Sequence, residues 1–244
     1  KVALKVLHPQ MLSDSRHVRR FYQEAKSASR LTSPHVVRMY DFGIDEETNT
    51  PFIAMELLQG LPLDTLLEEV VTLPPVRATQ ILAQVGQALM EAHDLGIVHR
   101  DLKPENIFMQ QTPEGDDFAK VMDFGIAKPI PKSPTGERAK TVEGTPRYLA
   151  PEAAVGKVVD GRADIYSLGI MAYEMVTGRV PFYADTIREL LQMHVRKQPV
   201  DVAKLQPDIP KGLRDFIMGA LIKRPDERLS DWGEIKSLLG GGKT

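Results

Sequence analysis

Apolar positions along this chain fall into two rhythms. Residues 2–7 run apolar around Lys5, the pattern of a buried strand. Over residues 14–31 the spacing lengthens to three and four, with Val18, Phe21, Tyr22, Ala25, Ala28 and Leu31 on one face, and predicts an amphipathic helix. Ser13 or Asp14 is placed to cap its start, and Ser33-Pro34 to end it, because the residue before a proline is pushed out of the α region. Two short strands are predicted at Val36–Tyr40 and Phe52–Leu57, on either side of the polar turn at residues 45–49. From Leu61 the texture is helical, clearest over residues 76–95, where Ile81, Leu82, Val85, Leu89 and Ala92 share a face and Gly96 sits at the C-cap. Residues 129–145 carry Pro, Lys, Thr and Gly without period and read as a long loop. Further helices are predicted near 162–177, 185–196, 211–222 and 231–239. A small β-rich start before a larger helical part is an α+β arrangement, with no repeat of solenoid length.

Composition narrows the function classes. A formal net charge of −2 supplies no general attraction for nucleic acid or anionic membrane. With 0 cysteines, disulfides, thiolate metal sites and cysteine nucleophiles are all excluded. No apolar run approaches the ~18 residues that cross a bilayer. The opening Lys1-Val2-Ala3 shows no signal-peptide pattern, and the chain reads as a piece entered mid-strand.

The chemistry concentrates in His99-Arg100-Asp101-Leu102-Lys103-Pro104-Glu105-Asn106, followed by Asp123-Phe124-Gly125 and Ala150-Pro151-Glu152. In this order and spacing the three segments resemble the catalytic loop, the D-F-G and the A-P-E of eukaryotic-type serine/threonine protein kinases, and several stretches resemble bacterial members. The resemblance covers residues 1–239. It implies a bilobal kinase fold, with a partial N-lobe at 1–58, a helical C-lobe at 59–239 and a linker starting at 240–244. The family's G-x-G-x-x-G loop and its two strands do not occur in this sequence, so the chain reads as N-terminally truncated and is expected to hold ATP weakly. An unpaired sheet edge at that end is expected to favour aggregation.

The resemblance also assigns roles. Asp101 accepts the substrate hydroxyl's proton, Lys103 neutralises the γ-phosphate, and Asn106 and Asp123 offer oxygen ligands to Mg2+. Lys103 is the residue that points to Ser/Thr rather than Tyr kinases. Val2-Ala3-Leu4-Lys5 resembles V-A-I-K, placing Lys5 on the α- and β-phosphates with Glu24 as ion-pair partner; the alternative for Glu24 is a solvated helix carboxylate. Met55 stands as gatekeeper, the backbone of Glu56 and Leu58 reads adenine, and Ala3, Val37, Phe108 and Met122 sandwich the purine, although Val37 and Met122 also read as plain core. Asp64 suits either the ribose or a helix N-cap.

Arg100 before the catalytic aspartate resembles kinases whose activation segment is ordered by phosphate: a buried arginine needs an anion, and Arg20 and Lys128 match the other cations around it. Among Ser133, Thr135, Thr141 and Thr145, Thr141 is the leading phosphosite and Thr135 the second, while Thr145 faces the substrate. Glu152 is expected to pair with Arg228, and Asp164 to hold the catalytic-loop backbone. The implied partners are ATP, protein substrates and a second copy for autophosphorylation, in the cytoplasm. Two motifs are decoys: Asp41-Phe42-Gly43 reads as a structural turn, and Gly240-Gly241-Gly242-Lys243-Thr244 lacks the first glycine of a phosphate loop, Ser237 standing there. A catalytically dead scaffold and a small-molecule kinase are the competing classes; Lys5, Glu24, Asp101, Asn106 and Asp123 together argue against the first, and residues 144–152, which resemble a peptide platform, against the second.

Overall fold

The computed structural model describes residues 1–12, 14–124 and 146–240, with the side chains of Pro9, Arg16, Arg20 and Glu24 outside that description. Two apolar clusters divide the molecule. The smaller joins Leu7, Phe21, Ala25 and Ile53; the larger runs through the helical part and takes in Val36.

In the small lobe, β1 (Val2–Val6), β2 (Met39–Asp45) and β3 (Thr50–Glu56) form an antiparallel sheet in the order β1-β3-β2, against which helix α1 (Ser15–Ala28) packs. Helix α1 begins just after Asp14, whose carbonyl accepts from the amides of His17 and Val18. It ends at Ala28, well before Pro34 acts. The opening strand is not buried as its composition suggests. Val2, Leu4 and Val6 are 50%, 62% and 59% exposed, because β1 lies at the sheet edge and only its alternate residues face inward. The second strand falls at Met39–Asp45 rather than Val36–Tyr40, so Asp41-Phe42-Gly43 is extended strand paired with β3, not a turn.

The large lobe opens with β4 (Leu61–Pro62) and α2 (Leu63–Val70). Helix α3 (Pro75–Asp94) follows, ended by Leu95 and by Gly96 at φ 71°, a left-handed conformation that glycine adopts without strain. A second antiparallel sheet then forms from β4, β5 (Ile107–Gln111) and β6 (Asp117–Val121). Periodicity did not reveal β5 and β6, since each has only five residues and they flank the catalytic motifs. Helices α4 (Pro151–Ala154), α5 (Gly161–Thr177), α6 (Ile187–Arg196), α7 (Lys211–Ala220) and α8 (Trp232–Gly240) complete the lobe. Helix α5 is apolar on nearly every side and buried along most of its length, as a helix must be when others surround it.

Two bases, the buried His194 and the half-buried Lys223, tie α6 and the segment after α7 to this central helix. The ring of His194 lies 5.8 Å from Tyr166 and 5.1 Å from Phe182, and Tyr166 shares a 3.0 Å hydrogen bond with its Nδ1. Burial, and then the Lys223 charge, hold the His194 imidazole down to about 3. The Lys223 ammonium sits 4.0 Å from the Phe182 ring centre; burial, and then Arg228, hold it down to about 7. Both bases take up a proton less readily folded than unfolded. The unfolded chain therefore binds more protons between pH 3 and 6.5 through His194, and between 7 and 10.5 through Lys223, and stability rises with pH across each window. Urea midpoints measured from pH 4 upward are expected to climb towards neutrality, with a visibly flatter climb in His194→Gln. An identical slope in the two proteins would rule out His194 as the source.

Candidate active site

The catalytic-loop segment leaves α3 and turns sharply before β5. Arg100 adopts φ 67°, a left-handed conformation costing a non-glycine residue about 1 kcal/mol. The turn is held from below by Asp164 of α5, only 1% exposed, whose Oδ2 accepts from the His99 amide and Oδ1 from the Arg100 amide, each at 2.8 Å. His99 itself is fully buried. Its Nδ1 accepts from the Asp101 amide at 3.3 Å, which fixes the tautomer so that Nε2–H donates to the Met122 carbonyl at 2.9 Å. One ring thereby joins the catalytic loop to the segment carrying Asp123.

At the top of the turn, Lys103 Nζ lies 3.8 Å from Asp101 Oδ2 and 4.0 Å from Glu105. Asn106 is buried and donates from Nδ2 to the Asp101 carbonyl at 2.7 Å. With its NH2 group engaged there, the amide presents its oxygen elsewhere. The backbone closes the same circle, the Met122 amide donating to the Asn106 carbonyl at 2.9 Å. Asp123 (φ 51°) receives Lys5 Nζ on Oδ1 at 2.7 Å, bringing the small lobe's lysine to the large lobe's carboxylate. Phe124 is buried with its ring 4.9 Å from that of His99. Asp101, Lys103, Asn106, Asp123 and Lys5 thus form one connected group. The side chains of Glu24 and Arg20 lie outside the description, as do Lys128, Ser133, Thr135, Thr141 and Thr145.

Arg100 does not fit its expected surroundings. The residue is exposed rather than buried, although its backbone amide turns inward to Asp164. Asp64 is not an N-cap either. Pro62 occupies that place, and Asp64 lies in the first turn of α2, where a carboxylate favours the helix dipole.

At the junction of the lobes, Ala3 and Met39 both lie opposite Met55 on the small sheet. Glu56 gives its amide to the Arg38 carbonyl at 2.9 Å, and its Oε1 accepts from Lys120 Nζ at 2.6 Å and the Arg38 amide at 2.7 Å. Val37 is buried, its amide on the Val121 carbonyl at 3.0 Å, and Leu58, Phe108 and Met122 are half-buried. Further out, Arg228 donates through Nη1 and Nη2 to both oxygens of Glu152 at 2.7 and 2.8 Å.

Sequence reasoning missed a cavity of about 550 Å³ beside the catalytic loop, whose polar lining includes Asp64, Glu68, Lys103, Glu105, Arg147 and Glu174. Tyr148 donates from its hydroxyl to Glu174 Oε2 at 2.5 Å. Burial pushes the Glu174 carboxyl up, while the Tyr148 hydrogen bond and the Arg147 charge pull it back. Glu174 sits in an apolar helical run, where only its charge marked it. Among the described residues, no group of three or more His, Asp or Glu forms a metal cage, and no helix is long and apolar enough to cross a membrane.

A two-lobed α+β fold with an Asp-Lys-Asn loop below a lysine–aspartate contact defines a protein kinase domain. Residues 1–239 match the Protein kinase domain family, and the chain belongs to it. Serine/threonine-protein kinase pkn3 of Myxococcus xanthus is 41% identical over 243 residues, covering 98% of this chain and 44% of that protein. PknA of Mycobacterium tuberculosis is 37% identical over 236 residues, covering 96% of this chain and 53% of the relative. The chain thus spans about half the length of these relatives or less. The crystal structure of the M. tuberculosis PknI kinase domain superimposes with TM-score 0.73 at 29% identity, covering 98% of this chain and 85% of that one. The kinship is with bacterial serine/threonine kinases of the eukaryotic type, and that family uses ATP and a divalent metal.

Proposed function

We propose that this chain is the catalytic domain of a protein kinase that moves the γ-phosphate of ATP onto Ser or Thr hydroxyls of other proteins. The supporting observation is the pairing of Asp101 with Lys103 at 3.8 Å on a strained turn held by Asp164. Asp101 takes the proton from the substrate hydroxyl as its oxygen attacks the γ-phosphorus, and the bond to the bridging β-phosphate oxygen breaks to release ADP. The Lys103 ammonium offsets negative charge on the moving phosphoryl group. Lys5 passes from Asp123 to the α- and β-phosphates, with Glu24 as its partner on α1.

The Asn106 carbonyl oxygen and the Asp123 carboxylate fit Mg2+, a hard cation that is bound by one or two protein oxygens, water and substrate phosphates rather than by a protein cage. A cation there supplies charge neutralisation to the phosphate oxygens. Adenine lies against Ala3, Val37, Met55, Phe108 and Met122 and reads the backbone of Glu56 and Leu58. Phosphorylation at Thr141, and secondarily Thr135, orders the activation segment against Arg100, Arg20 and Lys128, and Thr145 faces the substrate. A second copy of the kinase delivers that phosphate. The site of action is the cytoplasm, where ATP is available.

The cavity beside Lys103 receives the substrate's flanking residues. Four carboxylates against two cations favour a basic side chain there. With the full protein carrying this chain, radiolabel from γ-labelled ATP is expected to reach a generic protein substrate. Peptides with arginine within three residues of the acceptor serine are expected to show lower KM than their glutamine counterparts, a preference reduced about tenfold (about 1.4 kcal/mol) in the Glu105→Gln/Glu174→Gln variant. Absence of transfer from wild type would overturn the kinase reading; transfer without an arginine preference would overturn the cavity assignment alone.

A further inference from the structure

Asp164 takes part in three hydrogen bonds, two from amides of the catalytic turn and a third with a histidine outside it. His93 of α3 approaches Asp164 Oδ2 through Nε2 at 2.8 Å, and its side chain is 12% exposed. Its other ring nitrogen, Nδ1, lies 3.3 Å from the indole Nε1 of Trp232, the first residue of α8 and the chain's 1 tryptophan. An indole N–H only donates. Nδ1 must therefore be the acceptor, so the proton of a neutral ring sits on Nε2 and points at Asp164.

The surroundings are shaped to this ring. The His93 and Trp232 rings stand 5.4 Å apart at 47°. On the other side lies Gly161 of α5, where a Cβ would come within 2.6 Å of His93 Nδ1. Gly86 of α3 lies beside the indole, where a Cβ would meet Trp232 Cζ3 at an ordinary contact distance of 3.5 Å. Three helices thus converge on one imidazole whose sole charged contact among the described residues is Asp164.

We infer that Trp232 is a positioning residue for the catalytic loop, acting through His93 and Asp164 so that docking of the last helix sets the grip on the His99 and Arg100 amides. Trp232 touches no reacting group. Its indole fixes which way His93 faces and which nitrogen carries the proton, and a correctly turned His93 leaves the Asp164 carboxylate aimed at the two amides. This couples α8, at the far end of the chain, to the turn that presents Asp101.

The test compares Trp232→Phe, which keeps an aromatic ring but removes the N–H, with Ile235→Val, which loosens the same helix at a buried position away from His93. Amide hydrogen exchange of the wild-type protein and both variants is followed residue by residue, and the His93 ring nitrogens are read by 15N NMR. Exchange at His99 and Arg100 is expected to quicken by ~3–10-fold, the worth of one hydrogen bond, in Trp232→Phe and to stay at the wild-type rate in Ile235→Val. The His93 Nδ1 resonance is expected to move in Trp232→Phe alone. In the kinase assay, kcat falls by a similar factor in Trp232→Phe with KM for ATP unchanged. Unaltered exchange at both amides in Trp232→Phe, or equal quickening in the two variants, overturns the inference. The kinetic arm rests on Asp101 being the catalytic base; the exchange and NMR arms stand without it.

Discussion

Asp101→Asn is expected to lower phosphoryl transfer by roughly 10²–10⁴-fold, the usual worth of a positioned general base. The substitution keeps shape and size, so the hydrogen bond from Asn106 to the backbone carbonyl of residue 101 survives. What disappears is the negative oxygen facing Lys103 and with it the acceptor for the hydroxyl proton. Initial rates at saturating ATP, with a melting curve on the same samples, provide the check. A rate within about threefold of wild type at an unchanged melting temperature would remove Asp101 from the mechanism.

Glu152→Ala is expected to cost ~3–5 kcal/mol, the penalty for breaking a buried ion pair from one side. The Arg228 side chain is 0% exposed and the Glu152 side chain 7%, so the orphaned guanidinium has no water to turn to. Arg228 also donates to the carbonyls of Ile222, Arg162 and Lys223, and these bonds keep the charge in place once its partner is gone. For a domain of this size a loss of that magnitude lowers the melting temperature by on the order of 10 °C. Replacing both partners, as Glu152→Ala/Arg228→Met, is expected to recover part of the loss because the unpaired charge goes too. A single variant melting within about 2 °C of wild type would show that the pair is not load-carrying.

The helices were legible where their pattern was long. Helix α3 at Pro75–Asp94 and α5 at Gly161–Thr177 lie within a residue or two of the spans that periodicity picked out. Short strands were harder to place. Val36 and Val37 look like strand residues, yet they pack and bridge against the second sheet while β2 starts at Met39. Asp41-Phe42-Gly43 is structural, as expected, but pairing with β3 holds it as extended strand rather than a turn. In the candidate site, Asp101, Lys103, Asn106 and Asp123 were named by the resemblance that their motifs carry. It could not announce Trp232 or Glu174, whose significance arises from neighbours 139 and 26 positions away. Nor could it reveal that Arg100 is exposed and stands on a turn at φ 67°.

The way residues 32–38 are tied down has a mechanical consequence. Glu91 of α3 takes the amides of Thr32 and Ser33, and Val121 exchanges backbone hydrogen bonds with His35 and Val37. Val36 lies in the larger apolar cluster. This stretch, though it precedes β2 in sequence, is anchored to the large lobe, so the chain crosses to or from the small lobe three times: near Leu31 after α1, at Met39 where β2 begins, and at Leu57 after β3. The last two crossings lie side by side, since the Glu56 amide donates to the Arg38 carbonyl at 2.9 Å. Crossings gathered at two places favour a swing about the line between them over a twist, and such a swing of β1 and α1 would carry Lys5 toward or away from Asp123.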